Sequence, residues 1–160
     1  MTNQLEPKII EKSSFLVAGL HYEGKNEHGE IPALWDNEFL PRMGELAFLQ
    51  AGAGAYGIAR AMPNFEKDGV FEYLAAVEVK SFDNLPPGMV GWEIPAATYV
   101  VLPAHDVPGI APVSDYFYQK WLPQSKEYEM GEGAMLEYYP PDFGVDLNLD
   151  LFFPVRHKTK

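Results

Sequence analysis

Along this chain the spacing of apolar positions changes several times, and each change predicts an element. From Ile9 to Tyr22 a mixed start runs into Phe-Leu-Val-Ala-Gly-Leu, which predicts a strand; Gly24 and the polar residues 25–30 end it. Ile31, Trp35 and Phe39 then recur at four-residue spacing behind Pro32, a residue suited to a first helical turn, so 31–42 predicts a helix. Residues 43–54 hold no clear period, and the glycines at 52 and 54 end any regular element there. Tyr56 to Met62 predicts a short strand, and Val70 to Lys80 a stronger one carrying Phe71, Tyr73, Leu74, Val77 and Val79.

The run Asp83-Asn84-Leu85-Pro86-Pro87-Gly88 is the clearest break, and the pattern restarts beyond it. Ala96 to Ala104 predicts a strand, Val113 to Leu122 a helix stopped at Pro123, and Ala134 to Tyr139 a strand. Leu147 to Val155 predicts the last strand, on which Asp146 and Asp150 read as a solvated face. The halves overlay. Leu20 falls on Leu102 and Phe39-Leu40-Pro41 on Trp121-Leu122-Pro123, each 82 residues on, and Val77-Glu78-Val79 matches Phe153-Pro154-Val155 at a shorter offset. The expectation is one α+β domain over 1–160. It contains duplicated β-α-β-β units, at about 7–80 and about 92–156, joined by a linker at 81–91. About eight strands and two main helices would surround a central groove on a pseudo-twofold axis, a natural place for a ligand.

Composition narrows the partners. A net charge of −11 with only 12 Lys and Arg argues against nucleic acid, which is bound largely through cationic side chains on phosphates. The acidic field favours cations instead. There is no cysteine, so disulfides, thiolate catalysis and Cys-based zinc sites are excluded. His21, His28, His105 and His157 have no metal-ligand spacing, and no phosphate loop or nucleophile elbow is present, so neither a metal nor a cofactor is expected. With no apolar leader and no run near the ~20 residues of a membrane span, the expectation is a cytoplasmic protein with no membrane partner.

One residue stands out chemically. Glu137 is the single charge in the apolar, aromatic run Ala-Met-Leu-Glu-Tyr-Tyr at 134–139. An ionised carboxylate in an apolar setting costs several kcal/mol or shifts its pKa, so Glu137 faces water or has a partner. Alternation puts Glu137 and Tyr139 on one strand face and Leu136 and Tyr138 on the other. Both faces carry an aromatic, so alternation leaves open which is wet. Trp35, Tyr118, Phe71 and Tyr73 are each open between core packing and a pocket wall. Trp121 and Tyr99 read as core, and Trp92, after the linker, as a lid or a gap-filler.

The second half, "YFYQKWLPQSKEYEMGEGAMLEYYPPD" followed by "LNLDLFFPV", resembles the GyrI-like small-molecule-binding family. That family includes the effector-binding domains of AraC-type and MerR-type regulators. The marks are a helix ending Trp-Leu-Pro, a Ser and Tyr-Glu soon after it, and a strand of form apolar-Glu-x-Tyr. The resemblance implies the same doubled fold and a groove for bulky, often cationic, aromatic compounds, with Glu137 at its base and Tyr139 beside it. With the first element starting at residue 9 and no DNA-binding unit before it, a stand-alone module is expected.

The leading expectation is therefore a monomeric binding module for lipophilic, cationic aromatic molecules. Glu137 would supply charge, and Tyr139, Trp35, Tyr73, Tyr118 and Phe71 the aromatic walls. A second reading, also implied by the resemblance, is a hydrolase of electrophilic, cyclopropane-type compounds with Glu137 as the catalytic group. A third is an inhibitory protein-interaction module of the gyrase-inhibitor type.

Overall fold

The computed structural model describes residues 6–159. Among them lie the strands β1 (Lys8–Lys12), β2 (Phe15–Gly24), β3 (Ala55–Ala61), β4 (Phe71–Val79), β5 (Val90–Ile94), β6 (Ala97–His105), β7 (Tyr128–Met130), β8 (Met135–Tyr139) and β9 (Asn148–His157). All pair antiparallel in one sheet, ordered β1-β6-β9-β8-β3-β4-β2-β5, with β7 beside β9. Two long helical segments, α1 (30–46) and α3 (107–124), and two single-turn helices, α2 (Phe65–Asp68) and α4 (Phe143–Asp146), complete the fold. The fold is α+β, doubled about a pseudo-twofold axis between β3 and β8. Among the described residues no helix is long and apolar enough to cross a membrane.

The strand expected over Ile9 to Tyr22 is broken at Ser13-Ser14 into β1 and β2, which join different halves. β1 precedes β2 in the chain but pairs with β6, while β5 precedes β6 but pairs with β2. Each repeat thus lends its first strand to the other's edge, locking the halves together. β5 begins at Val90, inside the stretch read as a linker, so Trp92 is a strand residue and not a lid. Its ring lies under the Arg60 guanidinium, 3.5 Å from centroid to Cζ.

Both long helices are irregular at matched places. In α1 an α-turn passes into a π-wound stretch at Leu34–Phe39 and then a 3-10 stretch at Leu40–Leu46; in α3 the π-wound stretch is Phe117–Trp121. Pro41 and Pro123 follow within two residues of these stretches. A proline lacks the N–H of the α ladder and its ring crowds the carbonyl four residues back, so the winding must adjust near it. The unassigned stretch 43–54 extends α1 and then packs inward: Leu46 and Leu49 are buried, and the Ala51 N–H donates to the Glu78 carbonyl.

Asp146 is not on the face of β9. It lies in α4, and its carboxylate accepts the Asn148 N–H; Asp68 does the same for Val70 in the first half. Between each pair the backbone turns left-handed, at Gly69 (φ 74°) and at Leu147 (φ 63°). The last strand accordingly starts at Asn148 rather than Leu147.

α1 packs on β2 and β4, and α3 on β6, each over its own cluster: Phe39, Tyr73, Ala75 and Val77 under α1, Phe117, Leu102, Leu151 and Phe153 under α3. A third cluster on the opposite sheet face joins Val17, Tyr56, Ile58, Leu74, Tyr99 and Leu136. The central strands β3 and β8 are left as the floor between the helices. Ala55, Gly57 and Ala59 face that gap from β3, and Met135, Glu137 and Tyr139 from β8.

Candidate functional site

Glu137 sits near the centre of this floor. Directly across the ladder from it is Gly57, flanked by the pairs Tyr56–Tyr138 and Ile58–Leu136 that the pseudo-twofold exchanges. The axis runs through the Gly57–Glu137 pair, so these two residues occupy equivalent positions side by side. Two long side chains there would compete for one space; glycine on one strand lets the carboxylate of the other lie over bare backbone. A Cβ built at Gly57 would run into the Tyr73 hydroxyl and into Glu137 Oε1.

Two hydroxyls hold the carboxylate. Tyr73 Oη donates to Glu137 Oε1 at 2.7 Å, and Tyr139 Oη donates to the same oxygen at 3.0 Å. Trp35 Nε1 in turn donates to Tyr73 Oη at 2.8 Å, so indole, phenol and carboxylate form a chain in which each bond polarises the next. Both bonds to the carboxylate end on Oε1, leaving Oε2 for another donor or cation. Trp35 also stands edge-on to Tyr139 (ring centroids 5.4 Å) and to Phe39 (5.5 Å), and Tyr139 edge-on to Phe143 (4.9 Å). These rings fill the gap between the helices around the carboxyl.

The electrostatics follow from this enclosure. Burial pushes the Glu137 carboxyl above its ordinary value, and the two tyrosine hydroxyls pull it part of the way back by bonding the charged form. Tyr73, 2% exposed, is pushed far above the usual phenol range by burial and then by the neighbouring Glu137 charge. Tyr139 is raised for the same reasons, with a further contribution from Asp106. Glu137 is thus a carboxyl whose charge is held at a cost, supported by donors that stay protonated. Among the described residues there is no cluster of three His, Asp or Glu that could hold a metal ion.

Of the residues singled out in the sequence, Trp35, Tyr73, Glu137 and Tyr139 are brought into one hydrogen-bonded group from three elements, α1, β4 and β8. Phe71 is on the same face of β4 as Tyr73 but packs against Tyr22 and Phe65, away from the carboxylate. Tyr118, 39% exposed, lies on Phe117 and Phe153 on the α3 side, outside the bonded group. Gly57 was missed by sequence reasoning, although a glycine between Tyr56 and Ile58 in a strand is a recognisable mark of close approach. Phe143 was also missed; nothing in its local pattern separates it from any loop aromatic.

The model of the family described as integron-associated effector binding protein matches residues 8–155, nearly all of this sequence. The chain belongs to that family. Its relationship to regulators is direct as well: it is 31% identical over 156 residues to the transcriptional regulator BrlR of Pseudomonas aeruginosa, covering 94% of this chain. The chain spans 56% of that regulator's length. Among solved structures, SAV2435 bound to tetraphenylphosphonium superposes with a TM-score of 0.75 at 16% identity, covering 94% of both chains. The C-terminal domain of EcmrR superposes at 0.68 and 12% identity, covering 95% of this chain and 98% of that one. At such identities the superpositions speak for the fold: this effector-binding family member has the architecture of these domains, and the family is one of small-molecule binders.

Proposed function

We propose that this effector-binding domain takes bulky, lipophilic, cationic aromatic molecules between α1 and α3, with Glu137 as their counter-charge. The observation that carries the reading is the Glu137 carboxylate, set among aromatic rings and bonded through one oxygen by Tyr73 and Tyr139. A lipophilic cation placed there loses little by leaving water and gains the attraction of a poorly solvated charge. Aromatic faces add about 0.5–2 kcal/mol each. A ligand so large must displace the Trp35 ring from Tyr139, and the irregular winding at Leu34–Phe39 is where α1 can yield. That SAV2435 has the same fold and was solved with a lipophilic phosphonium cation supports the choice of ligand class.

The test is a titration with tetraphenylphosphonium, and with neutral triphenylphosphine oxide as control, followed by tryptophan fluorescence. At 4–5 Å and an effective dielectric of about 20, a carboxylate attracts a cation by roughly 3–4 kcal/mol before desolvation. Glu137→Gln is therefore expected to weaken the cation about ten- to a hundredfold and the neutral compound hardly at all. Equal weakening of both would defeat the reading. The raised carboxyl pKa also suits acid–base chemistry, which keeps hydrolysis as the second reading. A cyclopropane-bearing probe recovered with one added water, in a Glu137-dependent way, would place the domain there instead.

A further inference from the structure

We propose that the chain has a second ligand site, on the sheet face opposite Glu137, that takes a compact organic cation of the quaternary ammonium type. Alternation makes the central strands two-sided. Gly57, Glu137 and Tyr139 face the helices, while Tyr56 and Tyr138 face the other way. There, under the loop at 52–54, is a hollow of about 260 Å³ lined by Tyr56, Tyr138, Phe152, Glu78, Asp150 and Gly54, among others. Its side walls come from β3, β4, β8 and β9, whose positions are set by ladder pairing, and residues 52–54 of the loop before β3 cover it.

Three features of the hollow point to a cation. Its lining holds two carboxylates and no Lys, Arg or His. Neither Glu78 nor Asp150 is in the ion pairs formed among the described residues, which lie elsewhere, as at Arg42–Glu45, Arg60–Glu72 and Arg156–Glu129. The rest of the lining is Tyr56, Tyr138 and Phe152 with residues 52–54 of the loop; Tyr56 and Tyr138 stand 5.1 Å apart at a 54° tilt, and an aromatic face attracts an ammonium without needing hydrogen bonds.

Tyr56 supplies an independent sign. It is 6% exposed, yet it reaches the hollow, and its hydroxyl makes no hydrogen bond among the described residues. Among the described residues the sealed side-chain atom without a partner is Arg60 Nε; the Tyr56 hydroxyl is not sealed and is free to accept from the hydroxyl of a ligand such as choline. Burial and then the nearby Glu78 charge push its pKa up. Gly54 lets the loop lie directly on Tyr138, where a Cβ would strike the ring and hydroxyl at 2.6 Å. Two carboxylates with aromatic walls suit an organic ammonium better than a divalent metal, which asks for more oxygen ligands.

Choline is the probe, with its uncharged analogue, in which a tert-butyl group replaces the trimethylammonium, as control. Calorimetry gives affinity, and the tyrosine ring resonances locate the ligand. Saturable choline binding is expected to shift Tyr56 and Tyr138, to exceed that of the neutral analogue at least tenfold, and to weaken at least fivefold in both Glu78→Gln and Asp150→Asn. It should be unchanged in Glu137→Gln, which separates this site from the groove between the helices. Asp150 is exposed on β9, so its substitution tests the site without disturbing the core. Absence of saturable binding, equal affinity for the neutral analogue, indifference to Asp150→Asn, or loss of binding in Glu137→Gln would each overturn the proposal.

Discussion

Replacing Gly57 by alanine should be destabilising for a reason that can be isolated. In a strand interior glycine ordinarily costs about 0.5–1 kcal/mol relative to alanine, so Gly57→Ala would stabilise if nothing stood in the way. Here the new methyl would overlap the Tyr73 hydroxyl and Glu137 Oε1. Tyr73 has nowhere to go: it is 2% exposed, and its hydroxyl is bonded to Trp35 on one side and Glu137 on the other. Separating Tyr73 from the carboxylate gives up a charge-assisted bond of about 1.5–3 kcal/mol, and disturbing the indole bond about 1 kcal/mol more. The expected net loss is about 2–3 kcal/mol, read from urea unfolding followed by fluorescence. The decisive measurement is the same substitution in a Tyr73→Leu/Glu137→Ala background, where both obstructing oxygens and the Tyr73 ring carbon Cζ, 2.8 Å from the built Cβ, are gone. There it should cost less than about 0.5 kcal/mol or turn stabilising. A full cost persisting in that background would refute the account of why glycine occupies this position.

Other consequences can be checked more briefly. Because burial raises the Glu137 pKa, the folded protein holds the proton to higher pH than the unfolded chain does, so this group's contribution falls as pH rises. The stability of wild type relative to Glu137→Gln should therefore decline from the ordinary carboxylate value upward and level off above the folded pKa; a rise over that window would contradict the assignment. Trp35→Phe keeps an aromatic ring but removes the donor to Tyr73, and should cost about 1 kcal/mol in urea unfolding, while in the wild type the Trp35 indole N–H should be protected in exchange experiments. Gly69→Ala meets open space but must hold φ at 74°, and should cost about 1 kcal/mol in thermal unfolding, whereas Gly144→Ala, also in open space and without that constraint, should not destabilise.

Much of this protein was readable as one-dimensional pattern. The restart after the Pro-Pro-Gly break, the helix ending Phe-Leu-Pro answered by Trp-Leu-Pro, and the alternating strands gave the doubled α+β fold, because side-chain period and turn chemistry are local properties. Glu137 could be picked out for an equally local reason, a charge inside an apolar strand. What the sequence left open was where each strand pairs and which way each face looks. No local signal says that β1 leaves its own repeat for β6, or that β5 crosses to β2, since edge exchange depends on contacts made far along the chain. Nor could alternation choose between Glu137 facing water and Glu137 facing a ring. That was decided when the pseudo-twofold set Gly57 beside it and brought Tyr73 and Trp35 from 64 residues and farther away to bond the carboxylate and each other. The residue types were written in the chain; the proximity that makes them a site exists only once the sheet has closed its central pair.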